Sequence, residues 1–360
     1  MCRMKRIHGG FGLIVAGLVV LASGSAYAQV APVLEVPYFS FPQQMDLCGE
    51  AVPLHLEDVR ERFDREFTLV VYNHAQVYLW LKRKERFFPS LERDLSQHKL
   101  PDDLKYVAVA ESDLLAHAQS PAGAVGPWQF ISSTGSHYGL DQTRLVDERQ
   151  DFDKSTTSAF RYLQDLHGQF QNWTMAIAAY NCGERRMQDE IRKQKVSDYY
   201  LLKLPLETER YIFRILAIKE ILSHPDRYGY ALPKGAGYSA ARVDRVPVTL
   251  PAPVPIQTLA EAAGITYRDF KLLNTAFISD TMPAGTFLLR VPEGKGKDFV
   301  GRLNELIAAQ KPAFSVHKVG KGETLTSIAS HYNVPLESLK EWNRLAGSTV
   351  KLGQNLKIVK

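Results

Sequence analysis

The chain has 360 residues, 45% of them apolar and 23% charged, with a formal net charge of +5. That composition excludes a collagen-like or largely disordered chain and leaves room for two or three packed domains. The charge is mild and no basic stripe interleaved with aromatics stands out, so no nucleic-acid partner is expected.

At the N-terminus, Arg3, Lys5 and Arg6 precede an apolar run from Phe11 to Ala22, and small residues follow at Ala26 and Ala28. This order predicts a secretory signal peptide at 1–28, cut after Ala28. The run is too short to cross ~30 Å of hydrocarbon as a helix, which makes a membrane anchor the weaker reading. Removing the three basic residues leaves +2 for an exported protein of the periplasm or cell envelope. Two cysteines then remain, Cys48 and Cys182. In an oxidising compartment such a pair is often bonded, so a Cys48–Cys182 disulfide is expected, with two buried thiols as the alternative.

Residues 29–50 are Pro-rich and irregular. From Leu56 to about Arg86 the pattern is helical, with Phe63, Phe67, Val70, His74, Val77 and Leu81 on one face. His74 has no partner motif and reads as a satisfied core histidine. Pro101, Asp102 and Asp103 open a second helix. On it Leu104, Val107, Ala108 and Glu111 fall at i, i+3, i+4 and i+7, so Glu111 lies on the apolar face. Further helices are expected over Phe152 to Leu166, Trp173 to Tyr180 and Glu207 to Leu222, broken at Gly168, Gly183, Pro205 and Pro225. Beyond Leu232 the composition shifts to Pro, Gly and short β-branched pieces, which suggests a linker.

The C-terminal part repeats itself. Thr324 to Asn343 matches Pro255 to Asn274 at an offset of 69 residues, with Leu325 over Ile256, Ile328 over Leu259 and Asn343 over Asn274. One apolar skeleton at one offset means two copies of a supersecondary unit. Each reads helix, turn, helix, Gly-containing turn, strand, and a helix over KDFVGRLNELIAAQK is expected to connect them.

A carboxyl on an apolar helix face is desolvated, so its pKa should rise, and an acid still protonated near neutral pH can serve as a general acid. The following SPAGAVGPWQF offers small residues for close backbone approach, with Trp128 as a stacking face and Gln129 as an amide. The competing reading is a structural carboxylate paired with a Lys or Arg. Glycosidases ordinarily use two carboxylates. Asp113 points about 200° round the helix from Glu111 and cannot share its side. A lone acid suggests a mechanism in which the substrate supplies the nucleophile. No HExxH and no ligand spacing among the histidines appears, so neither metal nor cofactor is expected.

ESDLLAHAQSPAGAVGPWQF, AIAAYNCGE and LPLETERYIFRILA, in that order, resemble the soluble-lytic-transglycosylase (SLT) family, nearest its membrane-bound D type. The terminal HKVGKGETLTSIASHYNVPLESLKEWNRL is similar to a LysM module, and the upstream copy to a degenerate one lacking GETL and the Trp. The resemblance implies a mainly α, lysozyme-like catalytic domain followed by small α+β (βααβ) LysM modules. It implies cleavage of the MurNAc-β-1,4-GlcNAc bond with 1,6-anhydro ends, with peptidoglycan glycan strands as the partner. Peripheral association with an outer membrane is compatible with this. Glu111 is implied as the catalytic acid/base, and Ser112, Gln129, Ile131, Tyr180, Asn181, Glu207 and Tyr211 as substrate-binding residues. For the LysM module, Gly322, Glu323, Thr324, Leu325 and Asn343 are implied to hold glycan. The expected domains are an extension at 29–97, the catalytic domain at 98–232, a linker at 233–247, the degenerate module at 248–293, a connecting helix at 294–314 and the LysM module at 315–360. The pattern is departed from in two places: Pro127 replaces a larger apolar residue, and Arg185 and Arg186 follow CGE where a Gly is common. The competing functions are a hydrolytic goose-type muramidase and a non-catalytic wall-binding scaffold.

Overall fold

A computed structural model of the protein describes residues 36–309 and 314–359. The expected signal peptide lies outside the described residues. Strands β1 (Asp46–Leu47) and β2 (Glu50–Ala51) form a hairpin turned by Cys48 and Gly49, both at positive φ. Helices α1 (Glu57–Val71) and α2 (His74–Gln97) replace the single helix expected from Leu56. The Asn73 side chain caps α2 afresh by accepting from the Gln76 N–H at 3.3 Å. The apolar stripe keeps its period across the break, so periodicity alone does not reveal it. Phe63, Phe67, Val70, Val77 and Leu81 are buried as expected. His74 is exposed at the start of α2, with its Nδ1 2.9 Å from the Tyr230 hydroxyl: it is satisfied, but not part of the core.

Next come α3 (Lys105–Ser112), α4 (Ser132–His137), α5 (Phe152–Phe170), α6 (Trp173–Cys182), α7 (Glu184–Gln194) and α8 (Leu206–Ser223). Gly168 does not break α5; it is exposed there, where a glycine only weakens a helix. α7 buries only Met187 and therefore carries no apolar stripe to read. α8 is apolar nearly all round, with Ile212, Phe213, Ile215, Leu216, Ala217, Ile218 and Ile221 fully buried, and α1, α3 and α6 pack about it. Among the described residues no helix is long and apolar enough to cross a membrane.

The cysteines correct an expectation: both are free. Cys48 donates its N–H to Asp103, and Asp103 pairs with Lys219 on α8. Cys182, at the C-terminal end of α6, has the Thr208 side chain as a hydrogen-bond partner near the start of α8. Thr208 and Lys219 are about 16 Å apart along that helix, far beyond the ~7 Å that a disulfide allows between Cα atoms. Glu50 adds the same constraint, because its carboxylate takes the N–H groups of Trp173 and Thr174 and so fixes the hairpin at the other end of α6.

The second unit contains β3 (Val243–Leu250), β4 (Val254–Pro255), α9 (Ile256–Ala263), α10 (Tyr267–Leu273), β5 (Thr281–Met282), β6 (Gly285–Pro292) and α11 (Gly296–Ala309). β3 pairs antiparallel with β6 from Val243↔Pro292 to Leu250↔Gly285, so the end of the expected linker is strand. α11 is more than a connector: Phe299 and Leu303 are buried in the same core as Ile256 and Leu259. The last unit is β7 (Phe314–Lys318), α12 (Leu325–Tyr332), α13 (Leu336–Trp342) and β8 (Asn355–Val359), the βααβ order expected. The repeat is physical. Asn274 bonds Phe270 O (3.1 Å), Arg290 O (2.8 Å) and Arg290 N (2.8 Å). Asn343 bonds Leu339 O (2.9 Å), Lys357 O (2.8 Å) and Lys357 N (2.6 Å), stapling helix to strand in the same way.

The first two units are tied together. Asp147 N–H donates to Ala276 O (2.7 Å), and Val146 enters the core of the second unit. Arg290 grips both Asp151 oxygens (2.7 and 2.9 Å) and Asp153 (2.8 Å).

Candidate active site

Glu111 sits in the last turn of α3, half-buried, at the wall of a groove of about 930 Å³. Five other residues expected at the site line the same groove: Gln129, Ile131, Tyr180, Asn181 and Glu207. Tyr211 lies behind Glu111, 2% exposed, and donates its hydroxyl to Glu111 Oε1. Ser112 is buried and donates to Ala108 O (3.2 Å) and Pro127 O (2.8 Å), so it holds the loop instead of meeting a ligand.

The loop from Leu114 to Ile131 is fixed by its own chemistry. Gly126 has φ +86°, and a Cβ there would lie 1.9 Å from the Arg149 carbonyl oxygen, so only glycine fits. Arg149 reaches back to Gly123 O and Phe130 O, both at 3.2 Å. Trp128 corrects an expectation: it is fully buried, set edge-on to Phe160, with its indole N–H on Thr156 Oγ1 (2.9 Å), and offers no stacking face. The Trp128 carbonyl accepts the Tyr180 hydroxyl at 2.7 Å, which anchors that ring in the groove. Gln129, at φ +48°, spends its amide N–H groups on Gly126 O (2.8 Å) and Ala118 O (3.2 Å). Asn181 accepts the Thr208 hydroxyl at 2.9 Å.

Burial pushes the Glu111 carboxyl up to about 7. The Tyr211 hydrogen bond and the Arg214 charge pull it down, and Glu207 pushes it up. Burial also drives the Tyr180 and Tyr211 phenols well above their ordinary range, so both remain protonated donors. Asp113 turns away as expected: it ends α3 at φ 57°, and its carboxylate accepts the Trp80 indole N–H at 2.7 Å.

Sequence reading missed Arg214. It follows Tyr211 by three residues and Glu207 by seven, the spacing of one helix face, so its position was available. It also missed Glu66 on α1, which is 3% exposed and lies within 4 Å of Arg65, Arg210 and Arg214.

In the last unit, most of the expected glycan-holding side chains are committed to the fold. Leu325 is fully buried, Thr324 caps α12 reciprocally with Ser327, and Asn343 is the staple described above. Glu323 accepts the Gly320 N–H (2.7 Å) and faces His317 Nε2 at 2.7 Å, while Gly322 turns the chain at φ +86°.

Residues 90–202 match the family model of the transglycosylase SLT domain, and residues 317–359 that of the LysM domain. Residues 242–308 match the LysM-like domain of lytic transglycosylase MltD, a range that takes in β3 and nearly all of α11. The chain is 35% identical over 293 residues to membrane-bound lytic murein transglycosylase D of Escherichia coli (strain K12). That stretch covers 77% of this chain and 64% of the relative, so the chain spans just under two thirds of the relative's length. A probable N-acetylmuramidase of Lactococcus lactis subsp. cremoris is 43% identical over 44 residues, 12% of this chain and 10% of that protein. The 70 kDa soluble lytic transglycosylase Slt70 of Escherichia coli is similar in structure with a TM-score of 0.36 and 22% identity, over 47% of this chain and 30% of that one. The chain thus carries a helical SLT domain followed by two LysM-type modules, in the order the sequence implied. Tyr211 and Glu207, on α8, lie beyond the matched SLT range.

Proposed function

We propose that this chain is an exported lytic transglycosylase of peptidoglycan, acting in the cell envelope and anchored to glycan by its LysM module. It cleaves the MurNAc-β-1,4-GlcNAc bond with Glu111 as the single acid/base. Protonated Glu111 gives its hydrogen to the bridging O4 as the C1–O4 bond breaks. The resulting carboxylate takes the proton of the muramic C6 hydroxyl as O6 closes on C1. Glu111 ends protonated, no water is consumed, and one product carries a 1,6-anhydro end. The substrate's N-acetyl oxygen stabilises C1, which dispenses with an enzymatic nucleophile. Tyr211 steadies the carboxylate while the proton is away, because a hydrogen bond to a charged group is stronger than one to a neutral group.

The observation that carries this reading is a groove-lining Glu111 whose burial leaves it half-protonated at neutral pH, suited to giving and then taking a proton. The match to an SLT domain and to LysM modules supports the substrate class.

One observation favours a second reading. Glu207 lines the same groove, and its charge reaches Glu111. If it positioned a water, the enzyme would be a hydrolytic muramidase. Mass analysis of fragments released from purified sacculi separates the two: anhydro ends are expected, and ordinary reducing ends would replace this reading with the hydrolytic one. Glu111→Gln should release nothing. Equal lysis by that variant and the wild type would remove Glu111 from catalysis, and no lysis by either would leave a wall-binding scaffold.

A further inference from the structure

The groove that holds Glu111 is acidic, yet two cations stand in it outside any direct ion pair, the charge of Arg186 reaching Glu190 only at longer range. Glu184 accepts the Tyr162 hydroxyl at 2.9 Å, Asp189 pairs with Arg192, and Glu190 takes the Gln194 amide at 2.7 Å. Arg185 and Arg186 also line the groove, from the first turn of α7, and form no ion pair among the described residues. Both are exposed, and α7 is held to the core by Met187 and Ile191, so neither guanidinium group is needed to seat the helix. A bare groove with Glu207, Glu184, Asp189 and Glu190 on its walls would repel an anionic ligand. Two guanidinium groups side by side offset that charge locally on one wall, and their planar donor pairs match carboxylates.

We infer that Arg185 and Arg186 recognise carboxylates carried by the muramic residue, those of its peptide stem, and so make stem-bearing glycan the preferred substrate. This rests on the reading of the groove as a peptidoglycan site. The same carboxylate chemistry could come from the lactyl acid that is freed when a stem is removed, and the test distinguishes the two sources.

Three soluble glycan oligomers serve as probes: stem-bearing, stem-stripped with free lactyl acids, and stem-stripped with those acids converted to neutral amides. Affinities are measured by titration in a Glu111→Gln background, so binding is read whether or not the wild type makes anhydro products. The reading of the reaction therefore stands or falls separately from this inference. Adding Arg185→Gln and Arg186→Gln should weaken binding of stem-bearing oligomers by about tenfold, the size expected for two modest exposed ion pairs. Binding of both stripped forms should hold. The difference should shrink at high salt, and the Arg185→Lys, Arg186→Lys pair should recover part of it, which also checks that α7 remains folded. A loss confined to the lactyl-acid oligomers, with none on the stem-bearing or amide forms, would overturn the stem assignment and give the recognised carboxylate to the lactyl group. An equal loss on all three probes, or no loss on any, overturns the inference.

Discussion

Tyr211 on α8 donates its hydroxyl to Glu111 on α3, and the two helices pack directly against each other. The bond stabilises the carboxylate form and works against burial, which favours the acid form. Tyr211→Phe removes the donor and keeps the ring. The Glu111 pKa should then rise above about 7, and the alkaline limb of the activity profile should move to higher pH. The rate at neutral pH should fall about tenfold, the low end for losing a hydrogen bond to a charged group. A pH–rate profile on sacculi checks this; an unmoved limb would detach Tyr211 from the acid.

Glu66 should act in the opposite direction. Its carboxylate lies 3.7 Å from Arg214 Nε, and Arg214 in turn pulls Glu111 down. Four side chains bear on Glu111: Tyr211, Glu207 and Arg214 from α8, and Tyr180 from α6. Glu66→Gln leaves Arg214 uncompensated, so the Glu111 pKa should fall and the alkaline limb should move to lower pH. The same change strips Arg65 and Arg210 of a partner, and because both arginines are partly exposed the cost in stability should be only about 1 kcal/mol. Urea unfolding reads the second effect and the pH profile the first. Lost stability with an unmoved limb would make Glu66 purely structural.

The raised pKa of Glu111 also predicts how stability depends on pH. Its folded-state value of about 7 lies above the ordinary 4.5. Between those values the folded state binds more protons than the unfolded one, so stability falls as pH rises through that window and is then flat. The loss is on the order of 3 kcal/mol. Glu111→Gln carries no such loss. Its melting temperature should match the wild type near pH 4 and exceed it by several degrees at pH 8. Calorimetry at the two pH values decides this; a constant offset would mean that Glu111 is not desolvated.

Free thiols at Cys48 and Cys182 are a further expectation. Burial raises both thiols above their ordinary range, Cys48 strongly with Asp103 adding to the push, so both are weak nucleophiles and unreactive while folded. Alkylation of the denatured, unreduced protein, followed by peptide mass analysis, should label both. A linked Cys48–Cys182 peptide would require the hairpin to have left its place at the start of α6.

Much of the site could be read in advance because it follows helix periodicity. Glu111 on the apolar face of α3 and Tyr211 one turn after Glu207 are local facts of spacing. What sequence hid was whatever depends on how elements meet. Trp128 reads as a ligand platform, but its indole is consumed by Thr156 from α5. The two cysteines read as a pair because sequence carries no distance, and α8 separates them. The break at Asn73 preserves the apolar stripe and leaves no gap in the pattern. In the LysM module, Leu325 and Asn343 read as binding residues because motif recognition does not separate residues that make the fold from residues that meet the ligand.

Arg290 tests whether the first LysM-type module is a working part of the SLT domain or a passenger. It belongs to β6, yet it grips Asp151 and Asp153 at the start of α5, and Asp151 also caps that helix through the Lys154 N–H at 3.0 Å. Immediately before lies Arg149, which ties down the Gly123 and Phe130 carbonyls beside the groove. The module therefore braces the segment that braces the groove wall. Arg290→Met keeps the aliphatic bulk and removes the charge, leaving Asp151 buried without its cation. The pair is only partly shielded, so the expected loss is about 2 kcal/mol, below that of a fully buried ion pair. Limited proteolysis should then cut the 232–242 segment faster than in the wild type, and the KM for soluble glycan should rise as the wall loosens, with kcat less affected. A stable variant with an unchanged KM would show that the module only rides on the SLT domain and does not brace the groove.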